Sequence, residues 1–193
     1  MRETFPYLLQ SLRRYRDQWQ GEAATVALFE AFLHTHADVF KRSHAPGHFT
    51  GSCWLVSADG ARVLLMHHRK LDRWLQPGGH ADGDADLARV ALREAREETG
   101  VVDLRVEGGI FDIDRHRIPA RAHEPEHWHY DVRYVVRAHG PEQFAPNAES
   151  RALAWRPVAE VALDSGLDAS LRRMAHKWLA AVPMVKRISP VPG

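Results

Sequence analysis

Cysteine is almost missing from this chain. Cys53 is the only one in 193 residues, so no intrachain disulfide can form and a zinc site built on several cysteines is excluded. It lies in the apolar run Ser52 to Val56, where the expectation is a small buried hydrophobe. A charge of one sign is missing too. The formal net charge of +1 gives no general field for nucleic acid or a membrane surface, although local arginine patches can still grip phosphates. No stretch approaches about 18 consecutive apolar residues, and the N-terminus lacks the apolar centre of a signal peptide. The expectation is therefore a cytoplasmic protein without a membrane partner. No internal repeat is visible. What is present is ordinary for a globular chain able to bury a core: 45% hydrophobic and 26% charged residues.

The most informative stretch runs from Gly78 to Val101, GGHADGDADLARVALREAREETGV. A glycine pair follows Pro77, and a helix is expected from about Ala85 to Thr99, closed by Gly100 in a left-handed cap. At about 100° per residue, Glu94 and Glu98 stand about 40° apart and Glu97 lies to one side, so three carboxylates share one arc. Ala88, Ala91, Leu92 and Ala95 form the apolar side. Like charges at this spacing oppose an isolated helix by roughly 0.2–0.5 kcal/mol per pair. A hard divalent cation would reverse that, because Mg²⁺ takes oxygen ligands from a few carboxylates and substrate phosphates. Arg93, four positions before Glu97, is placed to orient its carboxylate.

These residues resemble the Nudix hydrolase signature. Gly79, Arg93, Glu94, Glu97, Glu98, Gly100 and Val101 fall in its register. Ala85 stands where the first glutamate is usual, and Ala95 is smaller than the usual aliphatic. The resemblance implies a Nudix-type α/β/α sandwich with a mixed sheet and hydrolysis of a nucleoside diphosphate linked to another group. The implied cofactor is Mg²⁺ or Mn²⁺ on Glu94, Glu97, Glu98 and the Gly79 carbonyl, with Arg93 as structural support and Glu97 as a further ligand or base. Glu149, a few positions before a Trp-x-Pro strand end, matches the place where many such enzymes carry another ligand or base.

Around this stretch the expected organisation is a helical extension over 1–45, a Nudix domain over 46–182 and an extended tail over 183–193. The first helix opens near Thr4 or Pro6 with Tyr7, Leu8, Leu12 and Tyr15, and Gly21 breaks it. A second is expected from about Glu22 to Phe40, with Ala24, Leu28, Ala31, Phe32 and Val39 on its apolar face. That face either docks on the domain or forms a homodimer. Strands are expected at Phe49 to Ser57 and Arg62 to His68, joined by a turn at Ala58 to Gly60, then near Leu104 to Asp114 and Trp128 to Ala138. A short strand at Ala152 to Trp155 and a helix capped by Asp168 complete the pattern.

Period-2 alternation puts His127, His129, Asp131 and Arg133 on one side of the Trp128 to Ala138 strand. The preceding polar loop adds Arg115, His116, Arg117 and His123. Three readings follow: a solvated edge, a zinc site on His127 and His129 with His116 or Asp131, and a substrate-facing wall. The expectation is the substrate-facing wall, with His80, Arg115, His127, His129, Asp131 and Arg133 touching substrate. Similar Nudix proteins pair a PGGH loop with a His-x-His-x-Asp-x-Arg strand, as here. The competing functional class is a Nudix-like ligand sensor without turnover. Isopentenyl diphosphate isomerases share the fold but use a cysteine in a motif that Cys53 does not match.

Overall fold

The computed structural model describes residues 5–120 and 124–181, so His123 and the tail lie outside the described residues. Alternation builds the sheet first. In β1 (Gly47–Val56), Phe49, Cys53 and Leu55 point into one core and Trp54 and Val56 into a second; in β2 (Arg62–His68), Leu64 and Met66 oppose Val63 and Leu65 in the same way. The remaining strands are β3 (Arg73–Leu75), β4 (Gly78–His80), β5 (Leu104–Ile118), β6 (His127–Ala138) and β7 (Ser150–Pro157). The main path runs β3-β2-β1-β6-β5, with β4 paired to β1 and β7 to β2. Among the described residues only the β1–β6 pairing is parallel, from Gly47↔Trp128 to Val56↔Arg137, so the sheet is mixed.

Helices α1 (Pro6–Gln18), α2 (Ala23–Leu33) and α3 (Leu87–Thr99) share the first core, while α4 (Val158–Leu163) and α5 (Ala169–Ala181) share the second. This is a three-layer α/β/α arrangement. The N-terminal helices use their apolar faces on the sheet. Leu8, Leu9, Leu12, Tyr15, Val26, Phe29, Phe32 and Leu33 are buried there, and Phe32 stacks on Tyr130 with centroids 3.9 Å apart.

Several local expectations shift. The second helix ends at Leu33, where Thr35 Oγ1 donates to the Phe32 carbonyl, and its buried face carries Phe29 rather than Leu28, which is 46% exposed. The larger aromatic ring takes the sheet side because it meets Phe49 and Tyr130. Strand β5 continues to Ile118, pairing with His127, so the expected 115–127 loop loses its first residues to the sheet. Register shifts between Glu107 and Asp112 bend β5 where Gly108 adopts φ 69°.

A buried polar network joins the extension to the centre. Lys177 Nζ lies 2.7 Å from Asp112 and 2.5 Å from Glu22, and donates to Tyr15 Oη at 2.6 Å. Arg133 also reaches Asp112, at 3.1 Å, and Arg173 holds both Asp112 oxygens. Burial alone would raise the Asp112 pKa, but these cations bring it below the usual carboxylate range.

Candidate active site and an adjoining histidine cluster

Asp86 caps α3 by accepting from the Arg89 N–H at 3.1 Å, and Gly100 ends it at φ 71°. The helix therefore begins two residues later than its expected start at Ala85. Close approach of β4 to α3 at Gly79 and to β1 at Gly78 explains the glycine pair. A Cβ on Gly79 would stand 2.6 Å from the Glu94 carboxyl carbon, and one on Gly78 would stand 2.7 Å from Ser52 Cα. The Gly78 N–H donates to Glu98 Oε2 at 2.8 Å.

The three glutamates have different surroundings. Glu97 is exposed, Glu94 is half-buried, and Glu98 is only 5% exposed. Burial is the main force raising the Glu98 pKa to about 8; the Gly78 N–H opposes it, and the charges of Glu94, Glu149 and Glu97 add to it. Burial raises the Glu94 pKa as well, countered by Arg93. Arg93 donates to Glu94 Oε1 at 2.7 Å and to the His80 carbonyl at 2.9 Å. It thus orients Glu94 and ties helix to loop, instead of holding Glu97 as expected.

Glu149 reaches this cluster because its loop is lashed to the end of α3. Ala145 N–H donates to the Thr99 carbonyl at 2.8 Å, Asn147 Nδ2 to the Glu97 carbonyl at 3.4 Å, and Glu149 N–H to Asn147 Oδ1 at 2.9 Å. The donor set is oxygen only, partly desolvated, with Arg93 bonded to one member. That combination fits a hard divalent cation, which would replace proton by metal on Glu98 and relieve the repulsion among the acids. Cys53 is fully buried with its thiol pKa pushed well up by burial, so it is no nucleophile.

The residues expected to touch substrate are divided between the two faces of the sheet. Arg115 lies on the face of α1 and α2, its guanidinium 3.7 Å from the Trp128 ring centre, away from the histidines. Asp131 and Arg133 lie on the histidine face but inside the protein, each 2% exposed. Asp131 accepts from Thr50, Ser52 and Arg133, and Arg133 meets Asp112, Asp114 and Asp131. Their hydrogen-bonding capacity is taken up by each other, which makes them framework rather than open contacts.

His80, His127 and His129 do come together, joined by His48, which sequence reasoning did not single out. The β1–β6 register sets His48 beside His129, and the ring centroids are 4.7 Å apart. Only the alternation His48-x-Thr50-x-Ser52, a polar line along an otherwise apolar strand, signalled it. Burial foremost, then neighbouring histidines, lower the pKa of His48 to about 4 and of His129 to about 2. Burial lowers that of His80 too. A cleft of about 360 Å³, lined in part by Arg42, His44, Glu124 and His127, adjoins the cluster.

A family model described as "NUDIX domain" matches residues 48–178. A Mycobacterium tuberculosis protein named putative 8-oxo-dGTP diphosphatase 3 is 29% identical over 136 residues, 66% of this chain and 60% of that protein. The match thus spans about three fifths of the relative's length. Among solved structures, a Caenorhabditis elegans Ap4A hydrolase binary complex aligns with TM-score 0.55 at 16% identity, over 68% of this chain and 95% of that one. A NUDIX-family hydrolase from Clostridium perfringens aligns with TM-score 0.55 at 22% identity, over 69% and 96%. At these identities the structural matches speak for the fold.

Proposed function

The chain belongs to the NUDIX family, and on that premise we propose that it hydrolyses a phosphoanhydride bond in a nucleoside diphosphate joined to another group. Water attacks one phosphorus and the other phosphate leaves. The observation that carries this reading is the desolvated Glu98, fixed by the Gly78 N–H and surrounded by Glu94, Glu97 and Glu149. A substrate of several negative charges cannot approach such a cluster unaided. Mg²⁺ or Mn²⁺, held by Glu94, Glu97, Glu98 and the Gly79 carbonyl, would supply charge neutralisation and a more acidic water.

The side chains then divide the work. Glu98 and Glu94 would hold the cation, and Arg93 positions Glu94 against the β4 backbone. Glu149, which is exposed, is the carboxylate able to accept a proton from the attacking water and pass it to solvent, a role open to the equally exposed Glu97 when it is not a ligand. Gly78 and Gly79 keep the loop close enough for backbone and carboxylates to share one centre. The name of the mycobacterial relative, a putative diphosphatase of a nucleoside triphosphate, supports a nucleotide substrate cut at a phosphoanhydride bond.

The test is a divalent-dependent product-release screen, read by chromatography of the nucleotide and phosphomonoester products, over nucleoside triphosphates, sugar nucleotides, dinucleoside polyphosphates, ADP-ribose and CoA. Release from at least one class, dependent on added Mg²⁺ or Mn²⁺, is expected. Silence over the whole panel with metal shown to be bound would overturn hydrolysis and leave a ligand-sensing domain.

A further inference from the structure

We propose that His48, His80 and His129 form a second metal site, for a divalent transition metal of the zinc class, distinct from the carboxylate centre. The three residues come from three strands, β1, β4 and β6. One ring nitrogen from each lies within 4.8 Å of the others. Four-coordinate zinc with Zn–N of about 2.0–2.1 Å needs nitrogens about 3.4 Å apart, so roughly an ångström of side-chain adjustment closes the set.

His48 supplies the independent observation. It is 1% exposed, and neither of its ring nitrogens finds a hydrogen-bond partner of good geometry. A buried polar group left unsatisfied costs about 1–3 kcal/mol. Its ring lies among those of His80, His127 and His129, with centroids 4.7 to 5.1 Å away. A coordinate bond is the partner this geometry offers.

His127 fits beside the fourth position. Its Nδ1 lies 2.9 Å from the Pro125 carbonyl, the kind of outer contact that fixes a ligating imidazole, and its Nε2 lies 3.3 Å from His129 Nε2. An anion subsite is disfavoured by the lining. Arg42 is engaged by Glu124 at 3.0 Å, Arg133 by three carboxylates, and Arg115 lies on the other face. Three imidazoles without a carboxylate select a borderline-soft ion over Mg²⁺.

The site adjoins the catalytic loop through one residue. His80 would bind the metal by its side chain while its carbonyl accepts from Arg93, so a metal there anchors β4 against the Glu94 side of the helix. The inference does not depend on which bond the carboxylate centre cleaves.

The experiment is Co²⁺ titration of the full chain after chelator treatment, read by visible ligand-field absorption and by calorimetry. One tight equivalent with the strong bands of four-coordinate cobalt is expected. Those bands should survive Glu98→Gln and weaken by more than a hundredfold in Co²⁺ affinity in His129→Gln and in His80→Ala, the latter a half-buried position suited to a fold-neutral change. The proposal is overturned if wild-type protein gives only the weak spectrum of six-coordinate cobalt. It is equally overturned if the bands persist in both histidine variants, whose folding is checked by circular dichroism.

Discussion

Replacing Glu98 by Gln removes a charge from a position where burial opposes it, and the gain in stability of the metal-free protein can be worked from the structure. The Glu98 carboxyl is raised from 4.5 to about 8. The folded chain therefore holds a proton that the unfolded chain releases, and stability falls as pH climbs from about 4.5 to about 8. At about 1.36 kcal/mol per pH unit the full loss is roughly 5 kcal/mol, and relaxation and water entry reduce it to about 2–5 kcal/mol. Gln keeps an oxygen for the Gly78 N–H and carries no charge. Urea unfolding in EDTA at pH 5, 6.5 and 8 should show the variant close to wild type at pH 5 and more stable by a few kcal/mol at pH 8. Added Mg²⁺ should stabilise wild type at pH 8 far more than the variant. A difference between the two proteins that is the same at every pH would refute the desolvated carboxylate.

Gly79→Ala places its Cβ against the Glu94 carboxylate, a movable group, so turnover should fall steeply while the melting temperature changes little. Gly78→Ala meets Ser52 backbone instead and should destabilise by about 1–3 kcal/mol or more, read by thermal melting. His48, lowered to about 4, contributes stability that is complete above about pH 6.5 and is lost as pH falls through 6.5 toward 4; His48→Gln should flatten the wild-type loss between pH 7 and 5 by about 1–2 kcal/mol in the unfolding free energy from urea titrations. Asp112→Asn leaves Arg133 and Lys177 buried without their shared anion and should cost about 3–5 kcal/mol in chemical denaturation, with the tyrosine-bearing α1 detaching first in hydrogen exchange.

The signature helix was legible because its information is local. The spacing of Glu94, Glu97 and Glu98, the apolar alanines and the Gly100 cap lie within one run of chain, and Glu149 is suggested only by the family resemblance, through its offset from Trp155. What failed to read was pairing at long separation. His48 meets His129 across about 80 residues through a parallel β1–β6 register that no local pattern fixes. The same alternation that grouped Asp131 and Arg133 with the histidines said nothing of Asp112 and Asp114, which arrive from β5 and bury the pair in ion contacts. Arg115 is expected in the loop beside the histidines, but β5 extends through it and the pairing Arg115↔Tyr130 sends its side chain to the other face, over Trp128. The N-terminal helices were recognised, but the contest between Leu28 and Phe29 for the core was decided by the aromatic partners waiting on the sheet.

On this reading the acids on α3 perform phosphoanhydride hydrolysis. Its most direct test compares wild type with Glu98→Gln, both shown to be folded, on the best substrate from the screen under saturating Mg²⁺. A loss of several orders of magnitude in kcat with the fold intact is expected. Near-wild-type hydrolysis by the variant would contradict it.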